Sequence, residues 1–151
     1  MELTKIRTVA KELMEKHGLD NWRFDFSNTR RAIGDASIYQ KRIRFSKAFK
    51  DLRDDEIIDT ILHEIAHALD YKRNGSSSHG PKWKAICREI GAIPKSRKPV
   101  SQRPKDKWVS YCEKCGKETG TMNRRGRYTH KNCGGDILFR ENTWQFLKPM
   151  L

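Results

Sequence analysis

Two histidines four positions apart, His63 and His67, sit inside the run Ile57-Ile58-Asp59-Thr60-Ile61-Leu62-His63-Glu64-Ile65-Ala66-His67. On a helix that spacing rotates the side chains by only about 40°, so both imidazoles share one face and can meet one metal ion. Glu64 stands on the adjoining face, within reach of a water at that ion. Ile57, Ile58, Ile61, Leu62, Ile65 and Leu69 recur three and four apart, an apolar stripe that anchors the helix in a core. Asp54, Asp55 and Glu56 suit its positive N-terminal end, and Asn74-Gly75 supplies a stop. The fold must therefore enclose one side of this helix and leave the other side accessible.

A third ligand is needed, and His79 is the strongest candidate. Gly80-Pro81 reads as the start of another helix, with Pro at its first position, and Trp83, Ile86, Cys87 and Ile90 give that helix an apolar stripe ended by Gly91. Three imidazoles leave the fourth position of a tetrahedral zinc open to water, which is the catalytic arrangement. Cys87, inside the stripe, reads as a small buried hydrophobe. Asp70, three residues past His67, reads either as an acceptor for a ligand imidazole or as a solvated surface group.

The stretch from Ile57 to Trp83, with His79-Gly80-Pro81-Lys82-Trp83 after the His-Glu-x-x-His helix, resembles the SprT-like (Spartan-type) zinc metallopeptidases. The resemblance extends upstream to Ile43-Arg44-Phe45-Ser46 and downstream to the Cys-rich C-terminus. It implies that His63, His67 and His79 hold a catalytic Zn²⁺ and that Glu64 is the catalytic base. It also implies nucleic-acid-dependent cleavage of proteins bound or crosslinked to DNA. The metzincin pattern requires Gly three residues after the second His and a ligand six after. Asp70 and Arg73 occupy those places, so that reading fails.

A chain of 151 residues with a formal net charge of +13 suggests one compact domain plus a small module and a polyanionic partner, with nucleic acid the first suspect. The charge is uneven. Residues 1–91 hold 18 Lys/Arg against 14 Asp/Glu, whereas residues 92–151 hold 14 against 5. No apolar run approaches a membrane span, and the N-terminus is too polar for a signal peptide. The cysteines are therefore expected in a reducing cytoplasm, where spaced pairs mean metal rather than disulfide.

Before the metal helix, residues 3–17 read as an amphipathic helix with Leu3, Ile6, Val9, Ala10, Leu13 and Met14 on one stripe. Trp22, Phe24 and Phe26 alternate with Arg23 and Asp25 as a half-buried strand, and strand-like stretches follow near Arg31–Tyr39 and Arg42–Ser46. Together they suggest a small antiparallel sheet packed against the metal helix. By analogy with zinc peptidases that lay substrate along an open strand, Ile43–Ser46 is expected to be that edge. Tyr39, Tyr71 and an arginine are candidates for a further oxyanion donor.

Residues 92–107, with Pro94, Pro99 and Pro104 among six Lys and Arg, read as a basic linker, either a solvated tether or a phosphate contact. Cys112, Cys115, His130 and Cys133 then form two pairs, each spaced by two residues, which matches a zinc ribbon with one Cys replaced by His. Four protein ligands close the shell, so this second Zn²⁺ is expected to be structural. The stretches Trp108–Tyr111, Glu118–Met122, Arg127–His130 and Asp136–Phe139 are strand-like. Arg124, Arg125 and Arg127 project between two of them beside Tyr128, which suits contact with nucleic acid. The tail Trp144-Gln145-Phe146-Leu147 is expected to pack back on one of the domains.

The reading is thus an α+β protein. It has a zincin-like domain over residues 1–91, a linker over 92–107, and a zinc ribbon with tail over 108–151. Its expected activity is DNA-associated proteolysis by Glu64-activated zinc water, in the cytoplasm or at the nucleoid. The alternative is a non-catalytic zinc-dependent nucleic-acid-binding or regulatory protein.

Overall fold

Periodicity sets three helices, and a computed structural model places them with two three-stranded sheets. Residues 1–97, 100–101 and 106–142 are described, and the chain divides into two units, Met1–Arg103 and Pro104–Leu151. The first unit carries α1 (Leu3–Lys16), β1 (Arg23–Ser27), β2 (Gly34–Ser37), β3 (Arg42–Ser46), α2 (Asp54–Asn74) and α3 (Pro81–Ile90). The second carries β4 (Trp108–Cys112), β5 (Glu118–Met122) and β6 (Ile137–Glu141).

Helix α2 is the axis of the first unit. It starts where the Glu56 carboxylate accepts the Arg53 backbone N–H, half of a capping box, and stops at Gly75. Ile57, Ile61, Ile65, Ala66 and Ala68 are fully buried, as the apolar stripe requires. Asp59, Glu64 and Asp70 are buried too, so the helix is enclosed on more sides than its sequence pattern indicates. Burial of an acid is tolerable only with partners. Asp59 accepts the Ile93 backbone N–H at 2.8 Å. Asp70 accepts from the Asn74 amide at 2.8 Å and from the Ser78 backbone N–H at 3.4 Å. Ile6, Ala10 and Met14, four apart on α1, complete one side of the core, and Trp83, Ile86 and Cys87 of α3 complete another.

The sheet of this unit is mixed, with order β1-β3-β2. Strand β1 runs parallel to β3, and β2 runs antiparallel to it. This corrects the expectation of a purely antiparallel sheet. The residues between β1 and β2 carry the chain past the place that β3 later fills, so β3 enters between its two predecessors. Its Ile43 and Phe45 are wholly buried, which suits the central position. Both sides of β3 are paired, so Ile43–Ser46 is not an open edge. Strand β2, which packs against α2, has one side unpaired among the described residues. Gly34 permits that approach. A Cβ there would meet the Arg44 carbonyl oxygen and Thr60 Cγ2 at 3.1 Å and Glu64 Cγ at 3.3 Å.

The stretch that reads as a linker begins on the first unit. Ala92 is buried, Ile93 bonds to Asp59, and the Ser101 backbone N–H and hydroxyl both donate to the Glu56 carboxylate. Residues 98–99 and 102–105 of that stretch, and the tail with Trp144 and Phe146, lie outside the described residues. In the second unit β4 is central, antiparallel to β5 and β6, with Val109, Ser110 and Cys112 buried. The strand expected over Arg127–His130 reduces to one bridge, Thr129 to Asp136. Among the described residues no helix is long and apolar enough to cross a membrane.

These contacts set where the first unit ends. A chain stopped at Gly91 deprives Asp59 of its Ile93 partner, whereas one stopped at Arg103 keeps it. We expect the shorter chain to be less stable by about 1–3 kcal/mol, the usual cost of depriving a buried acceptor. Urea denaturation of the two chains measures this, and coincident midpoints would show that residues 92–103 add nothing.

Candidate metal centres

Three imidazoles converge beside the middle of α2. His63 and His67 come from the helix and are half-buried, and His79 comes from the exposed loop between α2 and α3. His79 Nε2 lies 3.0 Å from His67 Nε2 and 3.3 Å from His63 Nε2. Zinc–nitrogen bonds of about 2.0–2.1 Å in a tetrahedral shell put ligand nitrogens about 3.3 Å apart, so the donor set fits zinc with one position left over.

Trp83 holds the rings from beneath. Its ring centroid is 4.6 Å from that of His63, 4.8 Å from His79 and 5.2 Å from His67, nearly parallel to the last. Trp83 is fully buried, and its indole N–H has no partner among the described residues. The loop that presents His79 is itself pinned. Asp70 takes the Ser78 N–H, and the Ser78 hydroxyl takes the Gly80 N–H at 3.1 Å. Asp70 therefore anchors the loop instead of accepting from a ligand imidazole.

Burial and the neighbouring imidazoles push His63 and His67 down to about 4. Both rings are neutral at ordinary pH and offer lone pairs. Glu64 is buried, and desolvation, with a smaller contribution from the Asp35 carboxylate, pushes it up to about 8. A dication in the cluster opposes that rise. Asp35 lies on β2 and is held by Arg44, whose Nε donates at 3.0 Å. Tyr39 stands fully exposed beyond β2, and Tyr71 is exposed on α2. Neither hydroxyl has a hydrogen-bond partner among the described residues.

The second unit gathers Cys112, Cys115, His130 and Cys133. Cys112 Sγ and Cys133 Sγ are 3.1 Å apart, and His130 Nδ1 lies 3.1 Å from Cys133 Sγ and 3.5 Å from Cys115 Sγ. Sulfurs on a tetrahedral zinc stand about 3.8 Å apart, so the cluster would have to widen to take such an ion. Two matching turns build it. The Gly116 N–H bonds to the Cys112 carbonyl and the Gly134 N–H to the His130 carbonyl, both at 2.8 Å. Both glycines have φ near +72°, which a side chain would strain. The Cys112 thiol is drawn down to about 6, above all by the Cys115 backbone N–H, so a thiolate donor is available.

Of the three arginines picked out in the sequence, Arg125 lies over the Trp108 ring, 4.5 Å from its centroid, and Arg124 and Arg127 are exposed. Tyr128 folds against Gly126, where a Cβ would come within 2.8 Å of its ring. The histidines, Glu64 and the Cys/His set are all marked by their sequence spacing. Trp83 is marked there as core and as the aromatic that closes the His79–Trp83 motif, but not as a support for the imidazoles, and Gly34 and Asp35 are not marked at all. The four-residue spacing of His79 and Trp83 at a helix start is a usable signal. The approach of β2 to Glu64 leaves none.

The described residues thus define an α+β chain with two candidate metal sites, one with three donors and one with four. The chain belongs to the SprT-like family, whose model matches residues 4–103. Relatives include Protein SprT of Pseudomonas syringae pv. syringae, 23% identical over 123 residues that cover 73% of this chain and 75% of the relative. Protein SprT of Pseudomonas savastanoi pv. phaseolicola is 24% identical over the same coverage. Among solved structures, the crystal structure of the metallopeptidase zymogen jannalysin of Methanocaldococcus jannaschii is similar with a TM-score of 0.47 and 19% identity, over 56% of this chain and 79% of that one.

Trp83 gives a direct test of the packing beneath the site. Trp83→Ala should cost about 3–5 kcal/mol, the range for a fully buried Trp. Trp83→Phe should cost far less, because it keeps an aromatic ring under the imidazoles and removes an N–H with no partner. Chemical denaturation of both variants decides this, and equal losses would contradict the platform role.

Proposed function

We propose that this chain is a zinc metallopeptidase of proteins bound or crosslinked to DNA. His63, His67 and His79 hold a catalytic zinc, and Cys112, Cys115, His130 and Cys133 hold a structural one. The observation that carries this is the convergence of three Nε2 atoms on the helix that also buries Glu64. Membership of the SprT-like family supports it.

Bound zinc would supply a Lewis acid that polarises the scissile carbonyl and brings the pKa of a water towards about 7. Glu64 accepts the proton of the attacking water at its carboxylate and returns it to the leaving amine. Its burial favours the protonated state needed for that return. The unpaired side of Gly34–Ser37 offers backbone N–H and C=O groups to an extended peptide, which would then run beside Glu64.

The second unit is read as a zinc ribbon whose task is to hold nucleic acid and raise the local concentration of the peptidase near bound substrates. The charge excess of the C-terminal part supports this, as do the exposed Arg124 and Arg127 beside Tyr128. Arg125 over Trp108 adds a cation stacked on an aromatic face.

Glu64→Gln should keep its fold and its zinc while proteolysis falls by about 10²–10⁴-fold, the worth of a positioned general base. Cleavage of a DNA-bound protein, assayed with and without DNA alongside zinc content, tests this. Near-normal cleavage would remove Glu64 from the mechanism. Replacing Arg124, Arg125 and Arg127 by Ala should flatten the salt dependence of DNA binding by about 0.7–0.9 in log–log slope for each phosphate left without its arginine. An unchanged slope would mean that these arginines do not touch phosphate.

A further inference from the structure

His67 is the one imidazole of the three whose far nitrogen has a partner among the described residues. Its Nδ1 lies 2.7 Å from Ser77 Oγ, while its Nε2 faces His79 Nε2 at 3.0 Å. A neutral imidazole carries one proton, and the partner of one nitrogen decides which nitrogen keeps a lone pair. A serine hydroxyl that accepts at Nδ1 leaves the lone pair on Nε2, the atom turned towards the other two rings. The same residue sits in the loop that delivers His79. That loop leaves α2 at Gly75, is caught at Ser78 by Asp70, and enters α3 after Gly80. Ser77 thus ties the helix-borne ligand His67, ten residues back in the chain, to the loop that carries His79.

We propose that Ser77 is a positioning residue. By accepting the Nδ1 proton of His67 it fixes the tautomer and rotation of that ring, and by doing so it locks the His79 loop onto α2. The proposal rests on reading the three histidines as a zinc site. It does not concern the step performed by Glu64. Ser76 and Ser78 do not serve in its place, since the Ser78 hydroxyl is engaged with the Gly80 N–H and Ser76 lies on the far side of Ser77 from His79 in the loop. Nothing in the residue pattern marks Ser77 out from its two neighbours, so only the fold reveals it.

Partners of metal-ligating histidines typically contribute about 10–100-fold to metal affinity. Ser77 is exposed, and water competes for the imidazole proton, so the lower end of that range applies here. The test uses the full chain, loaded with zinc, with Ser77→Ala, Ser77→Thr and Ser76→Ala as variants. Two quantities are read. Competition with a chromogenic chelator gives zinc affinity at the histidine site, and loading with cobalt reports the cysteine cluster separately through its thiolate charge-transfer band. Histidine ¹⁵N–¹H spectra give the protonated nitrogen of His67 and the exchange rate of its proton with water.

Ser77→Ala is expected to weaken zinc binding at the histidine site about tenfold and to speed exchange of the Nδ1 proton. Ser77→Thr, which keeps the hydroxyl, is expected to restore both, and Ser76→Ala to change neither. An affinity for Ser77→Ala within about twofold of the parent would overturn the proposal, since the expected loss starts near tenfold. So would weakened binding with unchanged Nδ1 exchange, because the loop alone would then be responsible. If the parent chain takes no zinc at His63, His67 and His79, the reading of the site falls and the proposal falls with it. A parent that binds zinc and a Ser77→Ala variant that binds equally well would remove only the proposal.

Discussion

Three imidazole nitrogens within about hydrogen-bond distance of one another are an unfavourable arrangement unless something holds them, since each loses water and none can share more than one proton. The first unit is built to hold them. Helix α2 supplies two rings from a backbone locked in the core by Ile57, Ile61 and Ile65. Trp83, carried on α3, fills the space beneath all three. The loop between these helices is tied at both ends, so the third ring reaches the other two without a long, free search. The same rigidity buries Glu64 and Asp70 on α2, and the lack of a side chain at Gly34 eases the close approach of strand β2.

The two candidate metal sites differ in a way that follows from their donors. The histidine cluster offers three ligands and a free position, and it lies at the junction of helix and loop in a unit with a continuous apolar core. The cysteine cluster offers four ligands and closes the turns of a unit whose strands bury little beyond Val109, Ser110 and Cys112. A sheet that small lacks the core to be stable alone, and a structural ion is the usual remedy. In the function proposed above, chemistry belongs to the first cluster and folding energy to the second.

Much of this is legible in the residue pattern, because helix period and ligand spacing are local. His63, Glu64 and His67 follow from a spacing of three and four, the end of α2 from Asn74-Gly75, and the start of α3 from Gly80-Pro81. The Cys/His set follows from its paired spacing, and the repeated glycine after each pair marks the same turn twice. Sheet order is not local, and there the pattern misleads. Ile43 and Phe45 look like one face of an open strand, whereas they fill the middle of a mixed sheet. The burial of Asp59 and the docking of Ile93 and Ser101 are equally hidden, since a buried acid can be recognised only once its partner is placed. Trp83 and Ser77 are visible as residues, but their roles depend on the crossing of α2 and α3.

The central claim is that two separate shells hold two ions, one with three histidines and one with three cysteines and a histidine. Metal analysis of the purified chain beside a His63→Ala/His67→Ala variant tests it most directly. The account predicts two zinc ions per chain in the parent and one in the variant, with the remaining ion resisting chelators longer because its shell has no open position. Loss of both ions in the variant, or two ions retained, would contradict it.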